Sequence, residues 1–412
     1  MLARAGAPLQ LVRAAVRDLS RPRPLGGAQL TTDAASVVAA DDVDVVVELM
    51  GGEEPARTLI AAALDRGKPV VTANKRVVSW HGPDLLARAA HRGAELRYEA
   101  AVGGGIPLIA PLHDDLLANR ILELRAIING TTNYILTKMA AGAAPGSSGA
   151  VSLEDALAQA QTAGYAEADP RDDIDAVDAA DKLAILVRLA FGAACTPREV
   201  FRQGLRGLEA KDLAYGRELG YVLKLVATAR RGPRGIEARV HPAFLPSEHP
   251  LARVDGAQNA VHLVGDLCGP VMFSGQGAGG DATASAVLAD LTRVARRLIL
   301  GEPAPTLAAR VPGAQICPME EVSTRCYFRL AVDDAPGVFA QITKVLADHE
   351  IGLASVIQRE PGRLGAAEVV LLTYAAPERA LSLAEAELSK LPVVRSVRAR
   401  IRVEAPDGGG RP

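Results

Sequence analysis

The sequence has no excess of positive charge: 46 Lys and Arg stand against 48 Asp and Glu, a formal net charge of −2. It therefore offers no basic field with which to neutralise nucleic-acid phosphates. Apolar runs such as DVDVVVELM and KLAILVRLAF stop well short of the roughly 20 residues that a bilayer span requires, so a soluble protein without a membrane partner is expected. The opening MLARAGAPLQLVRAAVRDLS holds no apolar core followed by a small-residue cleavage site, which argues against export and for the cytoplasm. Cysteine is scarce. Cys195, Cys268, Cys317 and Cys326 show no C-x-x-C spacing, which speaks against a zinc site and a disulfide framework and leaves them as reduced packing residues.

What is there fits a globular chain of two or three domains: 412 residues, 49% of them hydrophobic, enough to bury large cores. Through residue 124, apolar stretches (LQLVRAAV, VDVVVEL, KPVVTAN, ELRYEAAV) alternate with helical ones. Continuous valine-rich strands between helices predict a doubly wound parallel sheet covered on both faces. A dinucleotide-binding domain of this kind needs a first strand and a G-x-G-x-x-G turn at a helix start. The literal match, Gly275, Gly277 and Gly280 in FSGQGAGGDATASAV, lies far downstream of such a strand. The Rossmann-like domain is thus expected to be incomplete at its N-terminus, with MLARAGAP resembling the tail of a helix. Residues 125–318 break the alternation and suggest an α+β domain, with AAGAAPGSSGA as a surface loop or lid. Residues 326–402 read as strand, helix, strand, strand, helix, strand, the ferredoxin-like split. The tail EAPDGGGRP is too polar to order.

GYAEADPRDDIDAVDAADK, residues 164–182, carries seven carboxylates and runs straight into LAILVRLAF. A helix from about Asp173 places Asp178, Lys182, Ile185 and Leu189 on one core-facing stripe. A lone buried ammonium loses its proton or finds a carboxylate, and Asp178 lies four residues before Lys182. Such a lysine can exchange a proton near neutral pH. Asp169, Asp172, Asp175 and Asp181 fit a solvated acidic cluster favoured by the helix dipole. Thr72, Asn74 and Lys75 in VVTANKRVVSW, and Met50, Gly51 and Gly52 in ELMGG, end apolar strands, where open parallel sheets bind ligands; ordinary turns explain them equally. In YEAAVGGGIPLI, Glu99 with nearby carbonyls suits either a hard cation or a tight turn. Asn129, Thr131, Thr132 and Asn133 in IINGTTNYI are turn and cap residues or ligands. Asp333, Asp334, Pro336 and Gly337 in VDDAPGVFAQI form an anion-receiving helix start or a capped turn with Pro near the first helical position.

Taken in order, ELMGG, TANKRVVSWHG, YEAAVGGGIPLI, INGTTNYIL, GYAEADPRDDIDAVDAADK and GQGAGGDATASAV resemble homoserine dehydrogenases, and the last unit resembles an ACT-type regulatory domain. The resemblance implies NAD(P)-dependent interconversion of L-homoserine and L-aspartate 4-semialdehyde, within threonine, methionine and isoleucine biosynthesis. It implies Lys182 as catalytic lysine and Lys75 as the second active-site lysine, which also touches the cofactor. Glu167, Asp173 and Asp178 would bind or orient the substrate; Met50, Gly51, Thr72, Asn74 and Gly277 belong to the cofactor side. A sodium-type ion is implied on Glu99 and the carbonyls of Val102, Gly104 and Ile106, as are a homo-oligomer and an amino-acid effector such as threonine. Arg17 and Arg21 favour the 2′-phosphate of NADP. The alternative is a shortened, catalytically silent chain that senses an amino acid through residues 326–402.

Overall fold

A computed structural model describes residues 8–144, 149–305, 314–359 and 366–404, together with residue 6. The expected helical tail at Met1, the middle of AAGAAPGSSGA and the polar segment after Glu404 lie outside the described residues. The chain divides into two compact units, each considered by itself: Met1–Arg120 with Ala184–Pro197 and Phe273–Gly313, and Ile121–Leu183 with Arg198–Met272 and Ala314–Pro412.

In the first unit, β1 (Arg13–Ala15) and β2 (Gln29–Thr31) pair in parallel, followed by α1 (Ala34–Ala39). Asp33 starts that helix by accepting hydrogen bonds from the amides of Ala35 and Ser36, satisfying donors that have no partner within the helix. Next come β3 (Val46–Glu48), α2 (Ala56–Asp65), β4 (Val70–Thr72), α3 (Lys75–Arg92) and β5 (Leu96–Arg97). These three strands pair in parallel in the order β3-β4-β5. Val70 and Val71 are fully buried, as a strand covered on both faces requires. The Rossmann-like alternation is present, but as two separate parallel sheets, β1-β2 and β3-β4-β5. ELRYEAAV supplies only a two-residue strand, because Glu99–Ala101 tighten into a 3-10 turn. A short helix α4 (Ile109–His113) follows.

The chain then runs through β6 (Ile121–Ile127), α5 (Gly130–Gly142), α6 (Leu153–Thr162), α7 (Arg171–Ile174), α8 (Val177–Phe191), β7 (Phe201–Arg202) and α9 (Ala210–Glu218). After these come β8 (Tyr221–Gly232), β9 (Gly235–Pro246), β10 (Gln258–Gly265) and β11 (Gly269–Gln276). In the second unit, β10, β6, β8 and β9 lie side by side, antiparallel. Helix α10 (Gly280–Leu300) belongs to the first unit, where Val287 and Val294 pack with Val71.

The last segment comprises β12 (Ser323–Asp333), α11 (Val338–Asp348), β13 (Leu353–Arg359), β14 (Ala366–Thr373), β15 (Ala376–Pro377), α12 (Glu378–Leu388) and β16 (Val394–Val403). Its main strands lie in the order β16-β12-β14-β13, over a core that includes Phe328, Leu330, Ile342, Leu346, Leu381 and Leu388. β16 pairs in parallel with β9 through Arg402 opposite Ala243 and Val403 opposite Phe244, so this sheet continues the preceding one.

Three expectations need correction. The helix placed from about Asp173 is two helices, broken at Asp175 and Ala176, the latter with φ of 60°. The break has a cause distant in sequence: the Ile174 carbonyl accepts the Leu205 amide at 2.9 Å, and Gly204 packs directly against Ile174. Asp181 is not solvated but buried inside α8, a helix covered on nearly every side. Cys268 is exposed rather than packed.

Candidate active site

In the second unit, the end of β6 meets the broken α7–α8 corner. Lys182, whose side chain is 11% exposed, donates to Asp178 Oδ2 at 2.8 Å and to the Ile128 carbonyl at 2.8 Å. The four-residue spacing puts lysine and carboxylate on one face of α8. Asn129, the N-cap of α5, donates from Nδ2 to Asp173 Oδ1 at 2.6 Å and to Asp178 Oδ2 at 2.8 Å. Its Oδ1 accepts from the Thr132 amide and hydroxyl, each at 2.9 Å. Two carboxylates from separate helices and one amine are thus gathered around a single carboxamide. Glu167 stands apart from this cluster: its side chain is exposed and its main-chain carbonyl accepts from Gln161. Thr131 ties α5 to the same acidic segment through the Tyr165 carbonyl at 2.7 Å. Asp169 pairs with Arg171 and Asp175 with Arg206 at the surface.

In the first unit, the carboxyl ends of β3 and β4 are organised by a residue that sequence reading overlooked. Glu48 is buried and accepts from the Met50 amide and the Thr72 hydroxyl, each at 2.6 Å. Thr72 Oγ1 in turn accepts the Asn74 amide, and Asn74 reaches the Gly52 carbonyl at 2.8 Å while capping α3 at Val77. Lys75 is the first residue of α3. A cavity of about 1440 Å³ opens here, lined by β1, by residues 45–51 around β3, by Asn74, and by Gly279 and α10 as far as Leu291. Met50, Gly51 and Asn74 are on its wall; Thr72 is fully buried beneath. Gly277 lies against Gly104: a side chain at Gly104 would meet the Gly277 carbonyl oxygen at 2.5 Å, and the Gly105 amide donates to the Gln276 carbonyl.

Models of the homoserine dehydrogenase family match residues 107–292, and models of the homoserine dehydrogenase NAD-binding domain match residues 1–99. A homoserine dehydrogenase of Synechocystis is 40% identical over 94% of this chain and 90% of its own length. A crystal structure of a homoserine dehydrogenase from Thiobacillus denitrificans superposes with a TM-score of 0.91 at 44% identity, covering 98% of this chain and 92% of that one.

The chain belongs to the homoserine dehydrogenase family. It is an NAD(P)-dependent oxidoreductase acting on the alcohol group of homoserine, and its substrate is a small molecule. A hyperthermophilic archaeal homoserine dehydrogenase, 29% identical with a TM-score of 0.58 over 70% of this chain and 82% of its own, has been solved with NADPH. Among the described residues no helix is long and apolar enough to cross a membrane.

Homoserine dehydrogenase resemblance suggested a cation at Glu99, and the geometry gives that carboxylate other work. It is buried and accepts the amides of Leu108, Ile109 and Ala110 at 2.6, 2.9 and 2.8 Å, capping α4. Three N–H donors answer its charge. Val102 and Ile106 are buried beside it in the chain, and Gly104 is exposed at the turn that meets Gly277. Among the described residues no group of three or more His, Cys, Asp or Glu side chains forms a metal cluster.

Proposed function

We propose that Lys182 carries the hydroxyl proton in the interconversion of L-homoserine and L-aspartate 4-semialdehyde, and that Asp173 and Asp178 hold the substrate's ammonium group, with Glu167, on the exposed acidic segment outside this cluster, as the third carboxylate that the family resemblance implies. The observation that supports this reading is the Lys182 amine itself, kept largely out of water and met by Asp178 Oδ2 and the Ile128 carbonyl. An ammonium has three donors and a neutral amine a lone pair, so two protein acceptors leave a direction open for a substrate oxygen. In the oxidation the neutral amine takes the hydroxyl proton as the carbinol carbon gives up a hydride and becomes an aldehyde; in the reduction the ammonium returns it. The nicotinamide, when bound, supplies the hydride acceptor or donor.

On the nucleotide side, Met50, Gly51 and Asn74 form the wall at the strand ends and take the cofactor together with Gly277 and the second lysine, Lys75, while Thr72 holds Asn74 from beneath. The support is the position of Met50, Gly51, Thr72, Asn74 and Lys75 at the carboxyl ends of parallel strands, where such sheets receive ligands, and the contact of Gly277 with Gly104. Exposed Arg17 and Arg21, just beyond β1, favour the 2′-phosphate of NADP. The order β16-β12-β14-β13 supports an ACT-type unit over residues 326–402 that takes an amino-acid effector such as threonine. β13, last in that order, supplies an edge for a second copy in a homo-oligomer.

The test is Lys182→Ala in the full chain, assayed in both directions with NADP. Turnover should fall by three orders of magnitude or so, with the circular dichroism spectrum unchanged; activity within tenfold of the parent removes Lys182 as the proton carrier.

A further inference from the structure

We infer that Asn129 is a positioning residue for the reaction, its carboxamide setting the spacing of Asp173 and Asp178 and, through Asp178, the direction of the Lys182 amine. The inference rests on the reading of Lys182 as the proton carrier.

Asn129 is 5% exposed and makes four hydrogen bonds with one side chain. A carboxamide has two N–H donors and two acceptor lone pairs, so its capacity is spent in full. The orientation is forced: turning the amide over would set its oxygen against two carboxylates and its NH2 against the Thr132 amide donor. A helix cap uses only the oxygen side. The two donors do something else. They bridge Asp173 on α7 and Asp178 on α8, two helices separated by the left-handed break at Ala176. Helix geometry therefore does not fix the distance between these carboxylates; the amide does. The preceding residue, Ile128, gives its carbonyl to Lys182, so one dipeptide at the end of β6 holds amine and acids together.

Asn129→Ser and Asn129→Asp separate the two roles, since both keep a capping oxygen for Thr132 and neither has an amide donor. Both are compared in the full chain with the parent and with Lys182→Ala. Asn129→Ser should weaken L-homoserine binding about tenfold by calorimetry, with a thermal midpoint within a few degrees of the parent. Asn129→Asp adds a third carboxylate beside the amine and favours its protonated form, so the acidic limb of the kcat/KM profile should move up by about one pH unit. If Asn129→Asp does not fold, homoserine binding by Asn129→Ser decides. Parent-like homoserine binding together with an unmoved acidic limb overturns the inference, and so does a lowered thermal midpoint with both readouts unchanged. If Lys182→Ala stays active, the underlying reading fails instead; if Lys182→Ala is dead while both Asn129 variants match the parent, only the inference about Asn129 fails.

Discussion

Two of the buried cation–carboxylate assemblies in the second unit are built on opposite plans. Around Lys182, one amine meets one carboxylate oxygen and one carbonyl. Around Arg329, which is 2% exposed, a guanidinium grips Asp212 through two nitrogens at 2.7 and 3.1 Å, Glu368 at 3.1 Å and Glu209 at 3.2 Å. Tyr327 donates to the same Asp212, and Tyr215 to Glu368. Burial opposes the Arg329 charge, but hydrogen bonds and the charge of Asp212 more than offset it and hold the proton above the ordinary arginine range. Arginine does not release a proton in proteins, whereas a lysine's point charge on a flexible stem can. The filled fork holds α9 against β12 and β14, whereas the amine meets one carboxylate and one carbonyl and, in the proposed reading, is the group that trades a proton.

Four experiments break or sharpen that contrast. The largest effect falls on Lys182→Arg, which keeps the charge and discards the exchangeable proton. It should be as inactive as Lys182→Ala, a thousandfold loss or about 4 kcal/mol of barrier, with less change in thermal midpoint; substantial turnover by the arginine variant would void the contrast. Next, Arg329→Ala strands Asp212 without its partner and should cost roughly 3–5 kcal/mol in urea unfolding, with kcat/KM of the folded fraction near the parent value. The third concerns acid. Burial works against the charge of Glu404, yet the guanidinium groups of Arg239 and Arg125 hold its carboxyl down to about 2. A depressed carboxyl contributes stability above its unfolded value of 4.5 and loses it as pH falls through about 2. The stability gap between parent and Glu404→Gln, on the order of 3 kcal/mol near neutrality, should therefore close between about pH 5 and pH 2. Smallest of all, Asp169→Ala removes a fully exposed partner of Arg171 and should leave the thermal midpoint unmoved.

How much of this was legible in the sequence depends on the range of each interaction. The Asp178–Lys182 pair could be read because its four-residue spacing and apolar neighbours are local. So could the placement of Thr72, Asn74 and Lys75 at a strand end. For Asn129 the sequence leaves turn, cap and ligand open, since its two acidic partners lie 44 and 49 residues away. The helix break at Ala176 was missed because Gly204 and Leu205, which impose it, belong to a later segment. Glu48 was hidden for the same reason: its hydroxyl partner sits on the neighbouring strand, 24 residues on. The same holds for Glu404, which anchors the end of β16 to Arg239 on β9 across 165 residues.

The open space between β1 and β3 has a consequence for measurement. Among the described residues each strand pairs on one side only, and both contribute residues to the cavity wall, so their inward main-chain amides sit where solvent enters. Deuterium should replace those hydrogens rapidly in the isolated protein and slowly once a dinucleotide covers them. Mass spectrometry of the peptides spanning residues 10–17 and 45–51 would then follow occupancy from the protein's own backbone, independent of any turnover.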